Sequence, residues 1–163
     1  MALKKGDQAP NFTYKDKNGN QQEFHNLTGR KIVFFFPRAF TSTCTKEVCS
    51  IQESYDDLKE AGVAEIFGIS TDSEKKQEKF LIEYGVKFIF VSDKKARISD
   101  SYELTRKKFA GLYKFSGRYT FLINEENIIE EVLNNGIKGQ LSKYGNMEKH
   151  GIELIDILNL SKP

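Results

Sequence analysis

Residues 32–49 read Ile32-Val-Phe-Phe-Phe36-Pro37-Arg38-Ala39-Phe40-Thr41-Ser42-Thr43-Cys44-Thr45-Lys46-Glu47-Val48-Cys49, and their apolar period changes partway along. The first five are apolar without interruption, as expected of a strand buried on both faces, and Pro37 ends the run. From Thr43 onward, Val48, Ile51, Tyr55 and Leu58 recur at spacings of three and four, which predicts one helix closed at Gly62. Cys44 therefore falls in a first helical turn beyond the carboxyl end of a buried strand. Unpaired backbone N–H groups and the helix dipole favour an anion there. Because the thiolate is the reactive form of cysteine, such a position lowers a thiol below its free pKa of about 8.5. It is also where ligands bind in open α/β sheets.

The same pattern repeats outward. Ile66-Phe-Gly-Ile69, Phe88-Ile-Phe-Val91 and Tyr119-Thr-Phe-Leu-Ile123 read as further buried strands. Asn124-Glu-Glu-Asn127 is a turn-like link to Ile128, Ile129, Val132 and Leu133, which predicts a closing hairpin. Asp72-Ser73 caps a helix through Phe80, Leu81 and Tyr84 to Gly85, and a shorter helix is expected over Ala96–Tyr102. A last helix from about Met147 carries Ile152, Ile155 and Leu158. Phe12-Thr-Tyr14 and Gln22-Glu-Phe24, around Asn18-Gly19, form an amino-terminal hairpin. Alternating strands and helices imply parallel strands with right-handed crossovers, and the closing hairpin adds an antiparallel edge. The expected fold is α/β: a central mixed sheet flanked by helices on both faces.

Composition narrows the function. A chain of 163 residues without linker or repeat is expected to be one domain spanning 1–163. The net charge of +2 is spread along the chain, which argues against a nucleic-acid track. The amino terminus lacks the apolar core of a secretory signal, and no run has the roughly 18 apolar residues of a membrane span. A cytoplasmic setting is expected, with no membrane partner. Two cysteines exclude a four-cysteine metal site, and His25 and His150 have no cysteine or carboxylate at ligand spacing, so neither metal nor cofactor is expected. In a reducing compartment, a cysteine pair is more often catalytic or redox-sensing than structural.

Cys49 lies five residues beyond Cys44. On an ideal helix that places the two Cα atoms about 8.7 Å apart, beyond the ~7 Å limit for a disulfide. Either the two never bond, or the first turns unwind when they do.

The motif around the pair resembles a known family. Pro37-x-x-x-Thr41-x-x-Cys44 matches the peroxiredoxin pattern P-x-x-x-T-x-x-C. A second cysteine at position 49 resembles the subgroup called bacterioferritin comigratory protein or peroxiredoxin Q. Arg118-Tyr119-Thr120-Phe121-Leu122-Ile123 is similar to the family's arginine-bearing segment, Gly6-Asp7-Gln8-Ala9-Pro10-Asn11-Phe12 to its opening, Gly68-Ile-Ser70 to the strand after the catalytic helix, and His150-Gly151 to a segment before the last helix.

The resemblance implies a thioredoxin-like fold and reduction of hydrogen peroxide or organic hydroperoxides. It implies Cys44 as peroxidatic cysteine, passing through a sulfenic acid, and Cys49 as resolving cysteine in an intramolecular disulfide. Arg118 would stabilise the thiolate and the departing oxygen, Thr41 would orient the peroxide, and Pro37 would wall the pocket. Thioredoxin or glutaredoxin would re-reduce the disulfide, and a monomer is expected over a homodimer. Many members have Pro-Gly where this chain has Ser42-Thr43, so Thr43 is read as the helix cap. Asn134–Asn146 reads as a longer loop than usual.

Other residues weigh less. Glu47 is read either as a hydrogen-bonding neighbour of the arginine or as a solvated or first-turn helix carboxylate. Arg30 and Arg106 are rival arginines, though neither precedes a matching strand. The lysine pairs at 75–76, 94–95 and 107–108 are read as solvated faces. Tyr113, Phe115 and Tyr119 are read as core packing ahead of a substrate mouth. Two other functions compete: a general thiol–disulfide oxidoreductase, which would want C-x-x-C, and a redox-sensing module that switches a partner surface.

If Cys44 and Cys49 bond, oxidised protein is expected to lose helicity and amide-exchange protection over residues 43–50. Identical exchange in both redox states, with the disulfide confirmed by mass, would rule this out.

Overall fold

The structure is a computed structural model that describes residues 3–36, 42–104 and 119–134 and the helical positions Leu154, Ile155 and Leu158; the side chains of 42–44 and 134 are outside that description. The run at 32–36 forms β3 (Arg30–Phe35), preceded by the hairpin strands β1 (Thr13–Lys15) and β2 (Gln21–Glu23). After it come α1 (Ser42–Glu53), α2 (Tyr55–Glu60), β4 (Val63–Ser70), α3 (Glu74–Tyr84), β5 (Ile89–Ser92), α4 (Arg97–Ser101), β6 (Tyr119–Ile123) and β7 (Ile129–Asn134). The main sheet has the order β5-β4-β3-β6-β7, so β3 is its middle strand. β3 runs parallel to β4 and antiparallel to β6, which pairs with β7 as the expected hairpin. β1 and β2 form a separate two-stranded sheet.

The physical reason for β3's unbroken apolar run is visible in its alternation. Ile32, Phe34 and Phe36 face a cluster built from Val48 and Ile51 of α1, Tyr55 and Leu58 of α2, Phe80 of α3, and Leu154 and Leu158. Val33 and Phe35 face the other layer, with Phe12, Tyr14, Phe24, Tyr102 and Leu104. Each fully buried Phe contributes about 1.5–3 kcal/mol of transfer free energy, so the middle strand is the strongest single anchor of the fold. Gly68 on β4 is required by this packing. A Cβ there would stand 2.8 Å from the Phe34 ring and 2.9 Å from the Phe90 ring, so at least one ring would have to shift.

Local signals positioned the helices. Ser73 caps α3, its hydroxyl accepting from the Lys76 N–H at 3.2 Å, and Gly85 closes it at φ 62°. Asn124 Oδ1 accepts from the Glu126 and Ile128 N–H groups, both at 2.9 Å, and so shapes the β6–β7 turn. Three readings need correction. The helix expected over 43–61 is two, because Ser54 leaves helical geometry at φ −95° and ψ 2°. Its first residue is Ser42, so Thr43 lies inside the first turn instead of capping it. Phe24 belongs to a short 3₁₀ turn, and β2 stops at Glu23. Of the last helix, Ile155 and Leu158 are helical as expected; Met147 and Ile152 lie outside the described residues.

One core position was not anticipated. Lys31, on β3, is fully buried. Its ammonium donates to Asn127 Oδ1 and to the Phe24 carbonyl at 3.4 Å, and lies 4.6 Å from the centre of the Phe24 ring. It thereby ties the 3₁₀ turn to the β6–β7 turn at the amino end of β3. Burial lowers its pKa. A lysine with a lowered native pKa binds fewer protons folded than unfolded, so its contribution to stability rises with pH until the unfolded lysine titrates near 10.4. The stability difference between wild type and Lys31→Met, from urea midpoints, is expected to climb toward pH ~10.4 and flatten above it. A pH-independent difference would contradict this.

Candidate functional site

The site is assembled at the carboxyl end of the middle strand. β3 ends at Phe35, which pairs with Ile69 on β4 and with Tyr119 on β6. The Phe36 N–H donates to the Ile69 carbonyl at 3.0 Å, holding the strand end beside β4. α1 then opens at Ser42, so Cys44 is its third residue, in the turn whose N–H groups have no intrahelical acceptor. That is the placement read from the sequence. Pro37, Thr41 and Arg118 lie outside the described residues, as do Arg106, Lys107, Lys108, Tyr113, Phe115, Asn146 and His150. The structure does place Tyr119, the residue after Arg118, against the end of β3.

Cys49 sits on the same unbroken helix, half-buried and with a free thiol. Regular helix between positions 44 and 49 keeps their Cα atoms about 8.7 Å apart, so the reduced geometry holds the two sulfurs from bonding. Burial pushes the Cys49 thiol pKa up, and the Glu53 carboxylate one turn on pushes it further in the same direction. The two cysteines thus stand in opposite environments: one at a helix mouth that favours an anion, the other mid-helix where the neutral thiol is favoured.

Glu47, one turn after Cys44, is 1% exposed, so the reading of it as a solvated carboxylate is wrong. Arg30 is excluded as a rival arginine. It starts β3, roughly 17 Å from Phe35 at ~3.3 Å per residue, and pairs with Glu130 at 3.1 Å. The His25 ring bonds the Ala9 carbonyl at 2.6 Å, a structural role. Among the described residues no group of three or more His, Cys, Asp or Glu could hold a metal ion. Lys75, Lys94 and Lys95 are exposed, and Lys76 pairs with Asp72 at 3.2 Å. Tyr119 is half-buried and stacks on Phe121, as core packing requires.

Sequence reasoning missed a polar network that sets the carboxyl ends of the neighbouring strands. Gln77 Nε2 donates to Ser70 Oγ and to the Val91 carbonyl, both at 2.9 Å, while Ser70 Oγ donates to Asp72 at 2.8 Å. Asp93 accepts from the Ile98 and Ser99 N–H groups at 3.0 and 2.9 Å and so anchors α4. The available signal was Gln77 on the apolar face of α3, three residues before Phe80. A cavity of about 430 Å³ between β1, α3 and β5, lined by Tyr14, Gln77, Leu81 and Phe90, contains none of the predicted site residues.

Comparison with known proteins agrees with this geometry. The model of the AhpC/TSA family matches residues 5–132. Peroxiredoxin Bcp of Escherichia coli is 34% identical over 136 residues, covering 82% of this chain and 86% of that protein. The chloroplastic peroxiredoxin Q of Oryza sativa is 31% identical over 157 residues, covering 96% of this chain and 67% of that protein. The crystal structure of peroxidoxin BcpB from Mycobacterium tuberculosis superposes with a TM-score of 0.83 at 24% identity, covering 99% of both chains, and shows the same thioredoxin-like fold.

The environment of Cys49 gives a direct expectation. In a Cys44→Ser variant, the pH midpoint for alkylation of Cys49 should lie above that of a free thiol, and Glu53→Gln should lower it. A midpoint at or below the free value would show that neither burial nor Glu53 acts on this sulfur.

Proposed function

The chain belongs to the AhpC/TSA family and is a thiol-dependent peroxidase of the peroxiredoxin Bcp/Q group, and from that premise we propose that Cys44 is its peroxidatic cysteine and Cys49 its resolving cysteine. The observation that carries this assignment is the position of Cys44 in the first turn of α1, at the carboxyl end of the middle strand, with Cys49 free on the same helix.

The Cys44 thiolate attacks one oxygen of the peroxide. The O–O bond breaks, the departing alkoxide or hydroxide takes a proton, and Cys44 becomes a sulfenic acid. Arg118 supplies fixed positive charge to the thiolate and to the departing oxygen, Thr41 orients the peroxide through its hydroxyl, and Pro37 walls the pocket. Support for Arg118 comes from Tyr119, which pairs with Phe35 at the strand end from which the site is built. Cys49 then attacks the Cys44 sulfur, forms the disulfide and releases water. An external dithiol, thioredoxin or glutaredoxin, returns both cysteines to thiols by exchange.

The substrates in this reading are hydrogen peroxide and organic hydroperoxides. The protein acts in the cytoplasm as a one-domain monomer, without nucleic-acid or membrane partners. The net charge of +2, spread along the chain, supports the lack of a nucleic-acid partner, and no helix among the described residues is long and apolar enough to cross a membrane.

Peroxide consumption with thioredoxin should be catalytic in wild type and absent in Cys44→Ser. Cys49→Ser should keep one round of reduction and lose thioredoxin-supported turnover. Were Cys44 to react with peroxide no faster than free cysteine at the same pH, the assignment would fail.

A further inference from the structure

The apolar stripe that continues from Val48 and Ile51 to Tyr55 and Leu58 is divided between two helices, and the division lies between the cysteines and the firmly held part of the chain. At Ser54 the backbone leaves helical geometry, and its N–H is shared between the Ser50 and Ile51 carbonyls at 3.3 and 3.1 Å. Beyond it, α2 has its own anchorage. Tyr55 and Leu58 are buried. The Tyr55 hydroxyl donates to Glu65 at 3.3 Å and accepts from Lys17 at 2.9 Å, while the Lys17 and Lys59 ammonium groups lie 5.2 and 5.6 Å from the centre of the Tyr55 ring. None of these hydrogen bonds and ring contacts involves α1, although Tyr55 and Leu58 share their apolar cluster with Val48 and Ile51.

Besides the burial of Ile51 in the core, the last turn of α1 has a polar side-chain tie to a distant segment. Gln52 Oε1 accepts from the Lys87 N–H, in the link between α3 and β5, at 2.6 Å. The Lys87 ammonium meanwhile lies 3.8 Å from Asp56 on α2, so Lys87 straddles the break.

Resting on the reading that Cys44 and Cys49 form a disulfide, we propose that Gln52 is a positioning residue, a latch that opposes the unwinding of α1 through which Cys49 reaches Cys44. When Cys49 leaves helical geometry its carbonyl can no longer serve the Glu53 N–H. Only residues 50–53 then remain beyond it, about one turn, which is too short to persist as an isolated helix. The last turn unwinds with the rest, and the Gln52–Lys87 bond breaks. α2 remains, because Ser54 already separates it and its hydrogen bonds to Lys17 and Glu65 do not run through α1. The redox-linked unit is therefore the whole of α1, ending at the Ser54 break, and not residues 43–50 alone.

A solvent-accessible hydrogen bond of this type biases an equilibrium by roughly two- to ten-fold. Gln52→Met removes the acceptor while helix propensity stays matched, and Gln52→Glu retains an acceptor. Reduced protein is mixed with a single equivalent of hydrogen peroxide, and sulfenic acid and disulfide are followed by quenched-flow mass analysis.

Disulfide formation is expected about two- to ten-fold faster in Gln52→Met than in wild type, with Gln52→Glu near wild type and the first reaction with peroxide equal in all three. Excess peroxide should correspondingly give less Cys44 sulfinic acid in Gln52→Met, because the sulfenic acid lives for a shorter time. In oxidised wild type, amide exchange should rise through residue 53 and stay slow at Leu58 and Ala61, whose N–H groups donate to the Ser54 and Asp57 carbonyls. Gln52→Leu, also uncharged and without an acceptor, should repeat the Gln52→Met rate and serves if that variant folds poorly. Equal disulfide rates in wild type and both acceptor-less variants, or exchange protection retained at 51–53 after oxidation, would overturn the latch while leaving the disulfide intact. Absence of any Cys44–Cys49 disulfide in oxidised wild type would instead overturn the reading on which it rests.

Discussion

Burial of β3 on both faces is the constraint from which the rest follows. A strand with no solvent face must be the middle of a sheet and must be covered above and below, and both layers of the core are built against it. α1 starts just beyond its carboxyl end, the end of the strand at which ligands bind in open α/β sheets. The same tight packing removes the side chain from position 68, where the Phe34 and Phe90 rings close from either side. The placement of Cys44 thus depends on apolar residues distant from it in sequence.

Two sulfurs on one helix face different physics. The first turn provides unpaired N–H groups, while the third is packed against the core and meets a carboxylate at the next turn. The helix mouth favours an anion at one position, while burial and Glu53 favour the neutral thiol at the other. The cost is geometric: a regular helix holds the pair too far apart to bond. The break at Ser54 makes that cost local. It divides a short helix bearing both cysteines from a second helix fixed by Tyr55 and its lysine and glutamate neighbours.

Much of this was legible because the signals are local. Alternating periods placed β3, β4, β5, β6 and α3, and single residues marked the ends: Ser73 and Gly85 for α3, Asn124 for the last turn. Cys44 at a helix mouth followed from the change of period near Thr43. What was not legible needs partners distant in sequence. The apolar stripe through Tyr55 is continuous, so periodicity could not reveal a break that backbone geometry at Ser54 imposes. A lysine in a strand reads as solvent-facing, yet Lys31 finds its acceptors at Phe24 and Asn127, one of them nearly a hundred residues away. Sequence left Glu47 between a neighbour of the arginine and a solvated or first-turn carboxylate, and only the packed layers put it inside.

The amino-acid sequence by itself determined the class of fold, the strand that must lie at its centre, and the cysteine that opens the helix beyond it, because each is a property of neighbours along the chain: an apolar period, a proline, a first turn. Tertiary structure decided the rest. It chose β6 as the antiparallel neighbour that brings Tyr119 to the end of β3, set Arg30 far from that end, buried Glu47 and Lys31, and divided the helix at Ser54. Those outcomes depend on which distant groups compete for the same space and the same hydrogen bonds, and that competition exists only once the chain has closed on itself.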